Sequence, residues 1–139
     1  AWSMEAEVNL ADITKSTFAI GCSIDKTATT GFVVADESDD QICFQRIGHA
    51  TGKWLCYTSS DGINTVTTTT VAPVNDTFAT FAIDYDGGST ANFYIDNVLV
   101  GSHTANLTDE AMRTMIGHVA TGTNAATAHL NYMAWYQPA

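Results

Sequence analysis

The chain has 139 residues and a formal net charge of -10, with 15 Asp plus Glu against 5 Lys plus Arg. That length suits one domain, the 45% of apolar residues can build a core, and the acidic balance repels phosphate backbones and anionic lipid headgroups, which excludes nucleic-acid binding as the main task. No apolar run approaches the ~20 residues of a membrane span, and no charged segment leads into an apolar one as in a secretory leader, so a soluble domain or one segment of a larger chain is expected.

From Trp2 to Leu10 the even positions Trp2, Met4, Ala6, Val8 and Leu10 are apolar, and Ser3, Glu5, Glu7 and Asn9 fall between them. Alternation of period two is the signature of a strand with one wet face. Phe18, Ile20, Cys22 and Ile24 repeat the pattern. Asp36, Glu37, Asp39 and Asp40 then form an acidic loop. Ile42 and Phe44 share a face of the next strand, and Trp54 and Cys56 share a face of the one after it. Gly48-His49-Ala50-Thr51-Gly52 is the turn between these strands. With Phe44 opposite Cys56, Cys43 points to the other side of the sheet, which disfavours a Cys43–Cys56 disulfide, and free thiols are expected.

Ala79, Phe81, Ile83 and Tyr85 face Ala91, Phe93 and Ile95 across the turn 86–90. Pairing Tyr85 with Ala91, Ile83 with Phe93 and Phe81 with Ile95 gives a continuous apolar face. Asp96-Asn97 has the residue types of a two-residue type I′ turn, after which Val98, Leu99 and Val100 return along Ile95, Tyr94 and Phe93. Thr108-Asp109-Glu110-Ala111-Met112-Arg113 is the one helix-like piece, with Thr108 as N-cap. Strands near Thr114 to Val119 and Ala128 to Tyr136 close the chain. Threonine occurs 21 times, and its branched Cβ favours strands over helix interiors. Some ten short strands with polar turns predict an all-β fold of two antiparallel sheets, one domain over 1–139.

The run Phe78-Ala79-Thr80-Phe81-Ala82-Ile83-Asp84-Tyr85-Asp86-Gly87-Gly88, followed by Ala91-Asn92-Phe93-Tyr94-Ile95-Asp96-Asn97-Val98-Leu99-Val100-Gly101, resembles the later strands of the concanavalin A-like (laminin-G-like) jelly roll. Trp2-Ser3-Met4-Glu5-Ala6-Glu7-Val8, Phe18-Ala19-Ile20-Gly21 and Leu130-Asn131-Tyr132-Met133-Ala134-Trp135 resemble its earlier and closing strands. Asn97 stands where that family usually has Gly, and the chain begins almost directly at an early core strand. The resemblance implies a jelly-roll sandwich and, in this style, a tailed-phage virion protein.

Several residue groups are candidates for chemistry. Glu5 and Glu7 share a strand face, and two carboxylates can divide nucleophile and acid roles in a glycosidase. Glucanase-type jelly rolls use Glu-x-Asp-x-Glu, however, and Glu5-Ala6-Glu7-Val8-Asn9 lacks the middle Asp and the second catalytic spacing, so a solvated strand face is favoured. The acidic loop offers oxygens to calcium, but its spacing matches no ligand pattern, and Asp84-Tyr85-Asp86-Gly87 fails as an EF-hand because Ile95 stands at its twelfth position. His49, His103, His118 and His129 have no metal spacing; a meeting of His118 and His129 across the last two strands is open to them, but ordinary polar strand positions are favoured. Cys22, Cys43 and Cys56 read as small packing residues. The second face of the meander brings Asp84, Asn92, Tyr94 and Asp96 together, the groups with which a sheet stacks a sugar and accepts its hydroxyl bonds. Tyr85, Trp135 and Tyr136 are candidates for a subunit contact.

The expectation from the sequence is a non-enzymatic virion surface component, a capsid decoration or fibre protein, exposed on the particle and homo-oligomeric on capsid subunits. No cofactor is expected and no nucleic acid or membrane partner. The alternatives are an extracellular carbohydrate-binding or adhesion module, for which host glycans are the partner, and more remotely a glycoside hydrolase-like domain.

Overall fold

The computed structural model describes residues 1–24, 40–46, 52–108, 112–120 and 126–138. They form β1 (Trp2–Leu10), β2 (Ser16–Ser23), β3 (Gln41–Arg46), β4 (Leu55–Ser60), β5 (Ile63–Thr68), β6 (Phe78–Tyr85), β7 (Ala91–Ile95), β8 (Val98–His103), β9 (Arg113–Ala120) and β10 (Ala128–Tyr136). A first five-stranded sheet runs β10-β1-β6-β7-β8 and a second runs β5-β4-β3-β2-β9. Every pairing is antiparallel. The all-β, two-sheet architecture expected from the alternation is the one observed.

One apolar core fills the space between the sheets. Trp2, Met4, Ala6, Val8, Phe81, Ile83, Phe93 and Ile95 enter it from the first sheet, and Phe18, Ile20, Cys22, Ile42, Phe44 and Cys56 from the second. Phe44 meets Phe81 and Phe93 edge-on, with ring centroids 5.1 and 5.3 Å away. Trp54 meets Phe81 in the same way at 4.5 Å, the geometry that aromatic quadrupoles prefer. On the wet side of β1 Ser3, Glu5 and Glu7 are only half-buried, as alternation requires, whereas Asn9 at its end is buried. By contrast β2 and β3 are buried on both faces.

The hairpin registers match the sequence reading. Phe44 lies opposite Cys56, and Tyr85, Ile83 and Phe81 lie opposite Ala91, Phe93 and Ile95. Asp96 and Asn97 adopt φ of 50° and 64°, the positive values a type I′ turn needs. The return strand departs by one residue. Val98 and Leu99 pair with Ile95 and Tyr94 as expected, but a bulge then sets Gly101, not Val100, opposite Phe93. Gly101 lies so close to the second sheet that a Cβ there would stand 2.8 Å from Cys56 Sγ. The bulge therefore delivers a residue without a side chain to a point where the two sheets come close.

One strand was not expected, and two expected features lie wholly or partly outside the described residues. Ile63–Thr68, not foreseen as a strand, is β5 at the edge of the second sheet; its threonines and exposed Ile63 and Val66 lack a clean alternation. In the helix-like piece, Asp109 to Ala111 lie outside the described residues, and Arg113 already opens β9. The turn residues 48–51 also lie outside them.

The three cysteines are free and buried. Burial pushes the Cys56 thiol up to about 12 and those of Cys22 and Cys43 higher still, so they serve as packing groups. Cys43 points away from the main core into a small cluster with Ala19, Tyr57 and Met115. His103 ties the sheets together at the other edge: its Nδ1 lies 3.0 Å from Thr58 Oγ1 in β4 and its Nε2 2.9 Å from Thr67 Oγ1 in β5.

Two outcomes follow for stability. At Gly21 an added Cβ would stand 2.3 Å from Ile42 O and 2.5 Å from Cys43 Cα. Gly21→Ala is therefore expected to cost on the order of 3 kcal/mol, and Phe44→Ala about 3–5 kcal/mol, in urea unfolding. Burial holds His103 and His118 below the ordinary histidine value of 6.5, so the unfolded chain binds protons that the folded chain does not. Their contribution is fully present above pH 6.5 and is lost as pH falls below it. Melting temperatures between pH 8 and pH 5 should fall in that lower range, and less steeply in His103→Asn.

Candidate functional site

The site sits on the solvent face of the first sheet and follows from the pleat. Because Trp2, Met4 and Ala6 point into the core, Ser3, Glu5 and Glu7 must point out. Strand register then aligns the outward side chains in rows. Tyr136, Ser3, Asp84 and Asn92 form one row, and Ala134, Glu5, Ala82 and Tyr94 the next. Tyr132, Glu7 and Thr80 form a third. The small side chains of Ser3, Ala82 and Ala134 lie between taller ones, leaving an open hollow of about 450 Å³ bounded by Glu5, Asp84, Tyr94 and Tyr136. A second hollow of about 460 Å³ adjoins it, lined by Asp84, Thr90, Asn92 and Tyr136.

The face carries Glu5, Glu7 and Asp84, and among the described residues no Lys or Arg lies in these rows. Tyr132 Oη donates to Glu5 and Asn131 Nδ2 donates to Glu7, so both carboxylates are held by the neighbouring strand β10. The bond to Glu5 raises the Tyr132 phenol above its ordinary value, because losing the phenolic proton would set two anions side by side. Carboxylate acceptors that share a hollow with Tyr94 and Tyr136 suit a neutral, polyhydroxylated ligand.

Of the four residues singled out on the meander, Asp84 and Tyr94 line the first hollow, and Asn92 joins Asp84 in the second. Asp96 does not join them: its Oδ1 accepts from Thr80 N at 2.9 Å, and its own N–H donates to Thr80 O at 2.8 Å. It serves the turn, and its neighbour Asn97 lines the hollow instead. The sequence reading missed the contribution of β10, since Ala134, Tyr132 and Tyr136 reach this face only because β10 pairs with β1.

The remaining candidates are placed as follows. Glu5 and Glu7 share a face, as alternation requires. His118 and His129 do not meet, because β9 and β10 belong to different sheets; His118 Nε2 lies 3.2 Å from Ser16 Oγ, with its ring tilted against Phe18. Tyr85 is not a surface contact: it is buried, packed against Trp2, and its hydroxyl donates to Thr108 O. Trp135 stacks on Trp2 at 4.7 Å and stays partly exposed, and Tyr136 is exposed. Of the acidic loop only Asp40 is described; Asp36, Glu37 and Asp39, like His49, lie outside the described residues. Asp40 Oδ1 accepts from Asp61 N at 2.9 Å. Among the described residues no three His, Cys, Asp or Glu side chains are grouped to hold a metal ion.

A different polar row lies on the outward face of β3. Gln41, Cys43 and Gln45 are buried there, and Ser59 Oγ has no hydrogen-bond partner among the described residues. Nothing in the local alternation distinguished this buried polar face from an exposed one.

No protein-family description matches the chain, and no curated protein matches it in sequence. Solved structures do match it in three dimensions. A β-glucanase of Bacillus licheniformis superposes with a TM-score of 0.72 at 14% identity, over 98% of this chain and 66% of that one. The catalytic domain of an endo-1,3-β-glucanase (laminarinase) from Thermotoga petrophila gives 0.64 at 16% identity, over 97% and 63%. The carbohydrate-binding module CBM66 from Bacillus subtilis gives 0.63 at 12%, over 98% and 74%. The fold is the concanavalin A-like jelly roll. The chain spans 66% of the length of that β-glucanase.

These likenesses correct the functional expectation. The virion reading rested on associating this style of jelly roll with phage particles, whereas the three structures named above are two glucanases and a carbohydrate-binding module. The expectation that the chain is not an enzyme falls with it, since several of the matching structures are hydrolases.

The Glu5–Tyr132 bond has a spectroscopic consequence. In Glu5→Gln one tyrosine should titrate closer to the ordinary value of 10.0 than in the parent protein, read as phenolate absorbance against pH.

Proposed function

We propose that this jelly roll is a carbohydrate-recognition domain that holds a neutral glucan chain on the solvent face of its first sheet. The observation that supports it is the open hollow with a floor of Ser3, Ala82 and Ala134 between Tyr94 and Tyr136, with Glu5 and Asp84 as acceptors. Sugar rings present apolar C–H faces to tyrosine rings and hydroxyls to carboxylates and amides. Tyr94 and Tyr136 stack the ring faces, Glu5 and Asp84 accept from hydroxyls, and Asn92 and Asn97 supply amides at the margins. The lack of basic residues in these rows, on a chain of net charge -10, disfavours uronate or sulfated chains through like-charge repulsion. The shared fold with glucanases and a carbohydrate-binding module supports the same ligand class.

A second reading, hydrolysis of the bound chain, is favoured by one observation: Glu5 and Glu7 stand on the same face beside the hollow, two carboxylates available for acid and nucleophile roles.

Calorimetry and affinity electrophoresis against soluble β-1,3- and mixed-linkage glucans, with alginate and a sulfated glycan as anionic controls, test the binding reading. Binding of a neutral glucan is expected, weakened roughly tenfold by Tyr94→Ala through lost stacking and absent for the anionic chains. Failure of every neutral glucan, or equal binding by a Tyr94→Ala, Tyr136→Ala double variant, would overturn it. Release of reducing ends that disappears in Glu5→Gln would establish the second reading.

A further inference from the structure

We infer that the two hollows on the first sheet are one trough, and that it holds a chain of about three sugar units or more lying parallel to β1 and β6. This rests on the glycan reading and adds to it the length and direction of the bound chain. Ser3, Asp84 and Tyr136 line both hollows, so the two meet over Ser3 and Asp84. Register sets the direction. The first hollow lies over the level of Glu5, Ala82 and Tyr94, and the level of Ser3, Asp84 and Asn92 comes next. The second hollow continues from there to Asp86 and Thr90, which pair with each other through Asp86 N and Thr90 O at 3.1 Å. These levels succeed one another along the strands. From Ala82 to Asp86 the chain advances about 13 Å at the strand rise, roughly the length of three sugar units in an extended chain.

The walls agree with that direction. Tyr136 stands on the β10 side, 67% exposed, and Tyr94, Asn92 and Thr90 follow one another on the β7 side. Between them lie the short side chains of Ser3 and Ala82. A chain laid across the strands would have to pass over Tyr94 or Tyr136; one laid along β1 and β6 runs between them. The polar groups divide along the trough in the same sense. Glu5 serves the first hollow, Asp84 faces both, and Asn92 and Thr90 serve the second. Asp86 also lines the second, but its carboxylate accepts from the N–H groups of Gly88, Ser89 and Thr90 at 3.1, 2.8 and 2.9 Å and so closes the turn. That leaves an amide and a hydroxyl beside Asp84, groups that donate to and accept from sugar hydroxyls. A disaccharide is held in the first hollow, where Tyr94 stacks, and each added unit reaches toward Thr90.

Calorimetry with β-1,3-linked and mixed-linkage gluco-oligosaccharides of two to six units, beside the parent polymers, tests the length. Affinity is expected to rise roughly tenfold between disaccharide and tetrasaccharide, and the rise to shrink below about threefold in an Asn92→Ala, Thr90→Ala double variant, with circular dichroism as the check on folding. A second measurement uses the unaltered protein. In amide shift mapping by NMR the tetrasaccharide should move Thr90 and Asn92 as well as Tyr94, and leave Leu99, which neighbours Tyr94 across the strands, in place. Failure of every oligosaccharide and polymer to bind would overturn the glycan reading and this inference together. An affinity flat from the disaccharide upward, binding of polymer without any oligosaccharide, a rise untouched in the double variant, or movement of Leu99 in place of Thr90 would overturn this inference alone.

Discussion

The edge-on contact of Phe44 with Phe81 and Phe93 is the join on which the rest of the structure depends. Phe44 comes from the middle strand of the second sheet, and the other two from adjacent strands of the first. Each ring is fully buried. Once these rings must meet, the inward parity of β3, β6 and β7 is settled, because a slip of one residue would carry every apolar side chain on a strand to the wrong face. The same parity obliges Asp84, Asn92 and Tyr94 to face water.

The candidate site is thus the complement of the core. Ile83 inward requires Asp84 outward; Phe93 inward requires Asn92 and Tyr94 outward. β1 obeys the same rule, with Met4 inward and Glu5 outward, and its position between β10 and β6 makes Glu5 a neighbour of Ala82 and Ala134. The hollow exists because those two neighbours are alanines. Larger residues there would have left the first sheet a flat polar surface without a floor between the tyrosines. The two sheets differ in this respect. The outward face of the second is buried along β2 and β3 and carries uncharged amides, hydroxyls and a thiol, while the outward face of the first is open and acidic.

Asp96 shows how a plausible site residue is lost to local structure. Sequence parity places it beside Tyr94, and its side chain is of a type that binds sugars. Yet at positive φ in a two-residue turn its carboxylate lies within reach of Thr80 N and is engaged there. Tyr85 is lost to the core in a comparable way, its apolar body packed on Trp2 and its hydroxyl satisfied by a backbone carbonyl. Aromatic residues with a polar handle suit either a surface or a core, and residue type alone does not separate the two.

The sequence by itself determined the strands of clean alternation, their inward and outward faces, the Tyr85–Ala91 hairpin register, the Asp96-Asn97 turn and the separation of Cys43 from Cys56. These are properties of the pleat and of a few φ angles, and they act over two to ten residues. Only the tertiary structure decided which strands became neighbours. β1 pairs with β6 and with β10, the far end of the chain, and β9 joins the other sheet. From those choices come the contribution of β10 to the hollow, the separation of His118 from His129, and the bulge that sets Gly101 against Cys56. Pairing between distant segments depends on the fit of whole faces and on the cost of closing the chain between them. Neither is written in the alternation of a single strand.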